Sequence, residues 1–229
     1  MLKFIINTLV LHSIFLCSFS YAGIVIESTR YLYKEGTREI SAQVENKDEM
    51  PYLIKSWVDS AEGQAPSFLA TPPLFRLEAK QKNTLRLFAT PNIKVPLDRE
   101  SIFFFNIMAV PPTDDSYANS NTIQLAVRHR MRLIYRPKAL SSMSNIEEAK
   151  KIEWRKVTGK IIVKNPTPFF YYFNTVQLGN KNITQDVGSI APFASKEITL
   201  KKEQNDPTKI TWRIVNDYGG AGTFYSMSL

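Results

Sequence analysis

Histidine and cysteine are nearly missing from this chain, with two of the one and one of the other among 229 residues. His12 and Cys17 both fall within the first 22 positions, so beyond them His129 is the only imidazole and no thiol remains. Zinc sites of the Cys/His type need several such donors, and Cys-His or Ser-His nucleophiles need a base beside them. No metal, no cofactor and no catalytic residue is therefore expected, and the chain does not read as an enzyme. His129, set within a strand pattern, reads as a half-buried structural residue. A phosphate-binding glycine loop is missing too, because Gly219-Gly220-Ala221-Gly222 has no helix pattern after it. Carboxylates are scattered, and nothing marks a glycosidase pair. The apolar stretch from residue 4 to 16 is too short for a membrane span, and no second run of about 18 apolar residues follows. Stable membrane insertion is not expected.

What is present begins with that short stretch. Lys3 before it and Ser20-Tyr21-Ala22 after it give the layout of a secretory signal peptide, cleaved after Ala22 and taking Cys17 with it. The bulky Leu16 argues against a lipoprotein cysteine. From residue 23 on, the chain is long enough for two domains of about 100 residues, each able to bury a core without disulfides. The net charge of +8 reads first as solubility. Nucleic acid, an anionic membrane surface and a carboxylate-bearing partner stay open as alternatives.

The remaining pattern is one of short alternating runs between turn residues, which marks an all-β chain. Glu39 to Glu45, Tyr52 to Val58 and Thr84 to Phe88 read as strands. Ile102 to Val110 reads as a denser strand buried on both faces and stopped by Pro111-Pro112. After an exposed loop, Thr122 to Tyr135 reads as the longest strand, about twice the usual length. Its odd positions Ile123, Leu125, Val127, His129, Met131, Leu133 and Tyr135 form a largely apolar face. The even positions Gln124, Arg128, Arg130 and Arg132 make the other face cationic. Lys138 to Asn145 reads as a connection, and Ser144 with Glu147 and Glu148 as the cap of one helical turn. Strands resume at Lys160 to Lys164, Tyr172 to Leu178, Glu197 to Leu200 and Lys209 to Val215. Two β-sandwiches in tandem, residues 23–139 and 140–229, are the expected architecture.

Several motifs stand in a telling order: Ser28-Thr29-Arg30, Met50 to Trp57, Ala70 to Leu77, Asp98 to Asn106, Arg132 to Pro137, Asn165 to Phe169 and Asn216 to Gly220. Together they resemble the PapD-like periplasmic chaperones of the chaperone–usher pilus pathway, over essentially the whole chain beyond residue 22. The resemblance implies two immunoglobulin-like sandwiches in an L or boomerang arrangement, and a protein that works in the periplasm. It implies pilus (fimbrial) subunits and an outer-membrane usher as partners. A subunit of this kind resembles a sandwich lacking its last strand, and the chaperone lends one, filling the groove with alternating apolar side chains.

The same resemblance implies three groups of site residues. Ile123, Leu125 and Val127 would be the donor side chains. Arg30 and Arg132 would hold the subunit's C-terminal carboxylate, although the family usually has lysine at the second position. Glu100, Arg136 and Asp217 would form an ion-pair network between the domains, read as a surface network that orients more than it stabilises. The ten residues between Pro112 and Ile123 place the chain with short-loop members. The disulfide that many members carry near the C-terminus is missing, so the tail is expected to be held by packing alone. Two rival readings remain: a basic sandwich binding nucleic acid through Arg128, Arg130 and Arg132, and a secreted structural or adhesion protein. Secretion and the lack of interleaved exposed aromatics argue against nucleic acid. The early first strand and the two domains argue against a pilin. Self-association of the free protein through a bare apolar edge is left open.

Overall fold

The computed structural model describes residues 23–59, 66–91, 93–112, 123–200 and 208–229. The signal-peptide and short-loop expectations fall on residues 1–22 and 113–122, outside the described residues.

Among the described residues the first half forms nine strands: β1 (Ile24–Ile26), β2 (Arg30–Lys34), β3 (Ile40–Asn46), β4 (Tyr52–Val58), β5 (Phe68–Thr71), β6 (Leu74–Leu77), β7 (Lys82–Ala89), β8 (Ser101–Val110) and β9 (Val127–Arg136). They build a four-stranded sheet in the order β1-β3-β7-β5 and a five-stranded sheet in the order β2-β9-β8-β4-β6. The alternation seen in the sequence decides which side chains face inward. Ala42 and Val44 of β3, Leu85 and Leu87 of β7, Ile54 of β4 and Ile107 of β8 are buried between the sheets. Tyr33, Phe68 and Tyr135 close one end of this core by edge and stacked ring contacts. After β1 the chain changes sheets at Glu27 to Thr29, and β2 then runs parallel to β9.

The second half forms β10 (Glu153–Val157), β11 (Lys160–Lys164), β12 (Tyr171–Leu178), β13 (Lys181–Asn182), β14 (Ser189–Ile190), β15 (Ser195–Thr199), β16 (Lys209–Val215) and β17 (Ala221–Ser228). A three-stranded sheet, β10-β11-β15, faces one built on β13-β12-β16-β17, and β14 adds to β12. Between them lies a separate core that includes Trp154, Ile161, Val163, Val176, Ile210, Trp212 and Ile214. The architecture is thus the expected pair of β-sandwiches.

Four expectations need correcting. The long strand begins at Val127 rather than Thr122, with residues 123–126 outside any ladder. The register explains this: Ala109 pairs with Val127, so Pro111 and Pro112 fall where Leu125 and Gln124 would need partners. Proline offers no N–H to a ladder. The strand at 102–110 has only part of its outer face covered, since Ile102, Phe104 and Met108 stay half-exposed. The stretch after Pro137 is more than a connection. Lys138–Leu140 forms a 3-10 turn, Leu140 joins the second core, and Asn145–Glu148 is the single helical turn that Ser144 caps. Packing alone does not hold the tail. β17 is laddered to β16, the Tyr225 hydroxyl donates to the Ile146 carbonyl, and the Leu229 N–H donates to Thr208 at 3.0 Å.

Candidate functional site

Strand β9 is the element that organises the site. On one side it is paired with β8 along its length from Val127 to Tyr135. On the other side β2 covers only Arg132 to Arg136. From Val127 to Met131 the second edge has no strand partner among the described residues, and residues 123–126 have none on either side. The odd-numbered face carries one apolar stripe that starts in the core and runs out of it. Tyr135, Leu133 and Met131 are buried, His129 is half-buried, and Val127, Leu125 and Ile123 are 54%, 73% and 89% exposed. Ile123, Leu125 and Val127 therefore do not fill this protein's own core. An exposed apolar row beside unpaired backbone is what a sheet edge ordinarily avoids.

Where β2 meets β9, Arg30 and Arg132 are cross-strand neighbours. Arg30 is buried, and its Nη1 donates to the carbonyl oxygens of Asn216 at 3.0 Å and Val215 at 3.4 Å, both in the second domain. Among the described residues its buried Nε has no hydrogen-bond acceptor. Arg132 is half-buried and stacks 3.9 Å from the centre of the Tyr172 ring, with Arg30 5.5 Å from the same ring. Neither guanidinium forms an ion pair among the described residues. Burial first, and the charge of Arg132 second, lower the Arg30 pKa from its ordinary value. Two close cations with an unused donor form a cleft that an anion would relieve.

The domains are joined just beyond. Arg136 Nη1 and Nη2 hold Asp217 in a bidentate pair at 2.8 and 2.7 Å, and Nε donates to Glu100 at 2.8 Å. Glu100 also accepts from the Phe170 N–H at 2.8 Å, and Asn145 Nδ2 reaches Asp217 at 2.7 Å. The three side chains are 7%, 2% and 19% exposed for Arg136, Glu100 and Asp217, so the expected surface network is in fact buried. Burial pushes the Glu100 carboxyl above its usual value, and Arg136 and the Phe170 N–H pull it back only in part. Burial works against the Arg136 charge, but its bonds to Asp217 and Glu100 outweigh this and hold its pKa above the ordinary value.

Two turns make the network possible. Asn165 and Thr167, both buried and bonded to each other, fold the Pro-rich turn that presents Phe170 N–H. In the β16–β17 hairpin, Asn216 Oδ1 accepts from Tyr218 and Gly220, and Gly219 sits at a φ of 88°, where a side chain would be strained. That hairpin gives its carbonyls to Arg30 and its carboxylate to Arg136.

Arg136→Ala would leave the buried Glu100 carboxylate and the partly buried Asp217 carboxylate without their cation. The expected loss is about 3–5 kcal/mol of unfolding free energy, read by urea titration. Solution scattering should also show an altered angle between the domains. An unchanged angle would remove the network's orienting role.

Several residues of this region were not singled out by the sequence. Tyr172 is one, although it lies in the run Phe170-Tyr171-Tyr172-Phe173, where the strand period turns Tyr171 and Phe173 into the core and Tyr172 outward. Asn145 and the Phe170 N–H are others. Arg128 and Arg130 lie on the outer face of β9 and are held there by Asp59 and Asn106. Arg132 is turned to the cleft. No group of acidic, histidine or cysteine side chains among the described residues is arranged to hold a metal ion. No helix among them is long and apolar enough to cross a membrane.

An open strand edge and a two-cation cleft, carried on paired sandwiches, form a surface suited to binding a partner. Comparison with known proteins identifies the family. Residues 23–141 match the family described as the pili and flagellar-assembly chaperone PapD N-terminal domain, and residues 147–225 match the pili assembly chaperone PapD C-terminal domain. The chain belongs to this family of pilus-assembly chaperones. It is 36% identical to the chaperone protein FimC of Escherichia coli O6:H1 over 200 residues, covering 86% of this chain and 81% of that one. It is also 36% identical to the probable fimbrial chaperone YadV of Escherichia coli K12, covering 89% of each. Among solved structures, a chain of the Salmonella enterica SafA pilin complex with the SafB chaperone superposes with a TM-score of 0.79 at 31% identity, covering 93% of this chain and 99% of that one. The family's role is that of an assembly chaperone, not a catalyst.

Proposed function

We propose that this protein captures pilus subunits in the periplasm, completes their fold with the strand around Ile123, Leu125 and Val127, and passes them to an outer-membrane usher. Residues 1–22 act as a cleaved signal peptide, and the working domains are residues 23–139 and 140–229. The observation that carries this reading is the apolar stripe of β9 leaving the core beside an unpaired edge. A subunit groove would supply the missing ladder for residues 123–131 and pockets for the three side chains. Full burial of each contributes roughly 1.5–3 kcal/mol.

The subunit's C-terminal carboxylate binds between Arg30 and Arg132. There it satisfies the free Arg30 Nε and offsets the repulsion between the two cations. A fixed carboxylate also sets the register of the added strand, because a slip of one residue would turn every apolar side chain outward. The network of Glu100, Arg136 and Asp217 keeps the cleft at the angle this requires.

The nucleic-acid alternative loses support on the outer face. Arg128 and Arg130 are engaged by Asp59 and lie over the Trp57 and Phe104 rings instead of standing free.

Co-expression with subunits encoded by the same organism, followed by purification from the periplasm, tests the reading. A stable complex of one chaperone with one subunit is expected, persisting as salt is raised. Subunits recovered only as aggregates, with the chaperone alone in the soluble fraction, would refute it.

A further inference from the structure

Asp59, just past the end of β4, lies on the outward face of the five-stranded sheet, away from both the core and the cleft. Its carboxylate draws hydrogen bonds from three neighbouring strands. Oδ1 accepts from Trp57 Nε1 at 3.1 Å, from Asn106 Nδ2 at 2.8 Å and from Arg128 Nη2 at 3.4 Å. Oδ2 accepts from Arg130 Nε and Nη2 at 3.2 and 3.1 Å. Its own N–H donates to the Phe104 carbonyl at 2.9 Å. Each arginine also has an aromatic floor. Arg130 lies 3.6 Å from the Phe104 ring centre and Arg128 5.1 Å from that of Trp57. Arg128 donates twice more to Asn106, at 3.0 and 2.7 Å.

The register puts this hub in a particular place. Trp57, Asn106 and Arg130 stand in one cross-strand row, and Met108 with Arg128 stands in the row two residues along. These rows span the part of β9 that has β8 on one side and, among the described residues, no strand on the other. A strand paired along a single edge frays readily, and arginines at alternate positions repel one another. The arginine side chains are nearly half-exposed, at 46% and 49%, so the ion pairs add little to global stability. What they can do is hold the outer face of β9 to β4 and β8.

We propose that Asp59 is a positioning residue for strand donation: through Arg128 and Arg130 it keeps the unpaired half of β9 extended and in register, ready for a subunit. The proposal rests on the function given above. A donor ordered in advance spends less of its binding free energy on ordering, and one competent only a tenth of the time binds about tenfold more weakly.

The test is Asp59→Ala in the full chain, read in two ways. In the free protein, amide hydrogen exchange at residues 127–131 should speed up about tenfold or more, while residues 132–136, flanked by β2, keep their protection. Affinity for a subunit should fall by about the same factor. Val44→Ala, a core change in the opposite sheet at a fully buried residue, serves as a control that lowers global stability by more, and it should keep both local protection and capture closer to normal. Arg130→Ala should resemble Asp59→Ala, and the double variant should be no worse than the stronger single one, because the two act as a unit. Unchanged exchange at 127–131, an equal loss in the Val44→Ala control, or additive losses in the double variant would each overturn the proposal. If the wild-type protein captured no subunit at all, the functional reading would fail, while exchange in the free protein would still decide whether Asp59 orders the edge.

Discussion

Leu125→Glu is expected to abolish capture of a pilus subunit and to leave the chaperone folded. Leu125 is 73% exposed, so replacing it removes nothing from either core, and a surface substitution of this kind changes stability by about 0.5 kcal/mol or less. In a subunit groove the same side chain would be fully enclosed. Losing its burial removes roughly 1.5–3 kcal/mol, and forcing a carboxylate into an apolar pocket costs several kcal/mol more. At about 1.4 kcal/mol per tenfold change, the affinity falls by about a thousandfold or more. Co-purification should recover no complex, with a circular dichroism melt that matches the wild type. An unfolded variant would show instead that Leu125 supports this protein's own sandwich.

Removing either cation of the cleft has the second-largest effect. Truncating one partner of a buried, hydrogen-bonded charge pair costs about 2–5 kcal/mol, much of it from stranding the other charge. Arg132→Ala is the cleaner test, because among the described residues the Arg132 guanidinium lies over Tyr172 and donates to no carbonyl. Arg30→Ala also removes the bonds to Val215 and Asn216, and so loosens the contact between domains. Arg132→Lys should recover much of the binding, since it keeps the charge and loses only the planar fork and part of the stack. A titration calorimetry series with a subunit and these variants would show the order wild type, Arg132→Lys, then Arg132→Ala. Normal affinity in both alanine variants would remove the carboxylate anchor.

How much of this was readable from the sequence depends on whether a feature is local. The strands at Tyr52–Val58, Lys160–Lys164 and Lys209–Val215 follow from alternation and turn residues, and they form with those bounds. The cap at Ser144 is equally local, with its side chain accepting from the Glu147 N–H. The start of β9 is not. Alternation continues smoothly back to Ile123, and only the pairing of Ala109 with Val127 reveals that two prolines stand where the ladder would continue. β17 was missed because its inward residues, Gly222, Tyr225 and Met227, break the period of two and stand among exposed threonine and serine, and its pairing with β16 defines it.

The site divides in the same way. Arg30 and Arg132 were legible through motifs, but not that they become direct neighbours through a parallel pairing across some hundred residues. Tyr172 and Asp59 were not singled out, since each gains its partners from strands distant in sequence. The burial of Arg136 with Glu100 and Asp217 could not be read either, because it depends on how the second domain closes over the first. That burial raises the network from a minor surface contribution to one whose breakage is expected to be strongly destabilising.

The measurement that bears most directly on strand donation is amide hydrogen exchange of the chaperone, free and bound to a subunit. Among the described residues no strand pairs with one edge of residues 123–131, and binding should protect their backbone amides in an alternating pattern that extends the β9 ladder back to Ile123. Protection appearing elsewhere, with residues 123–131 exchanging as fast in the complex as in the free protein, would contradict the account.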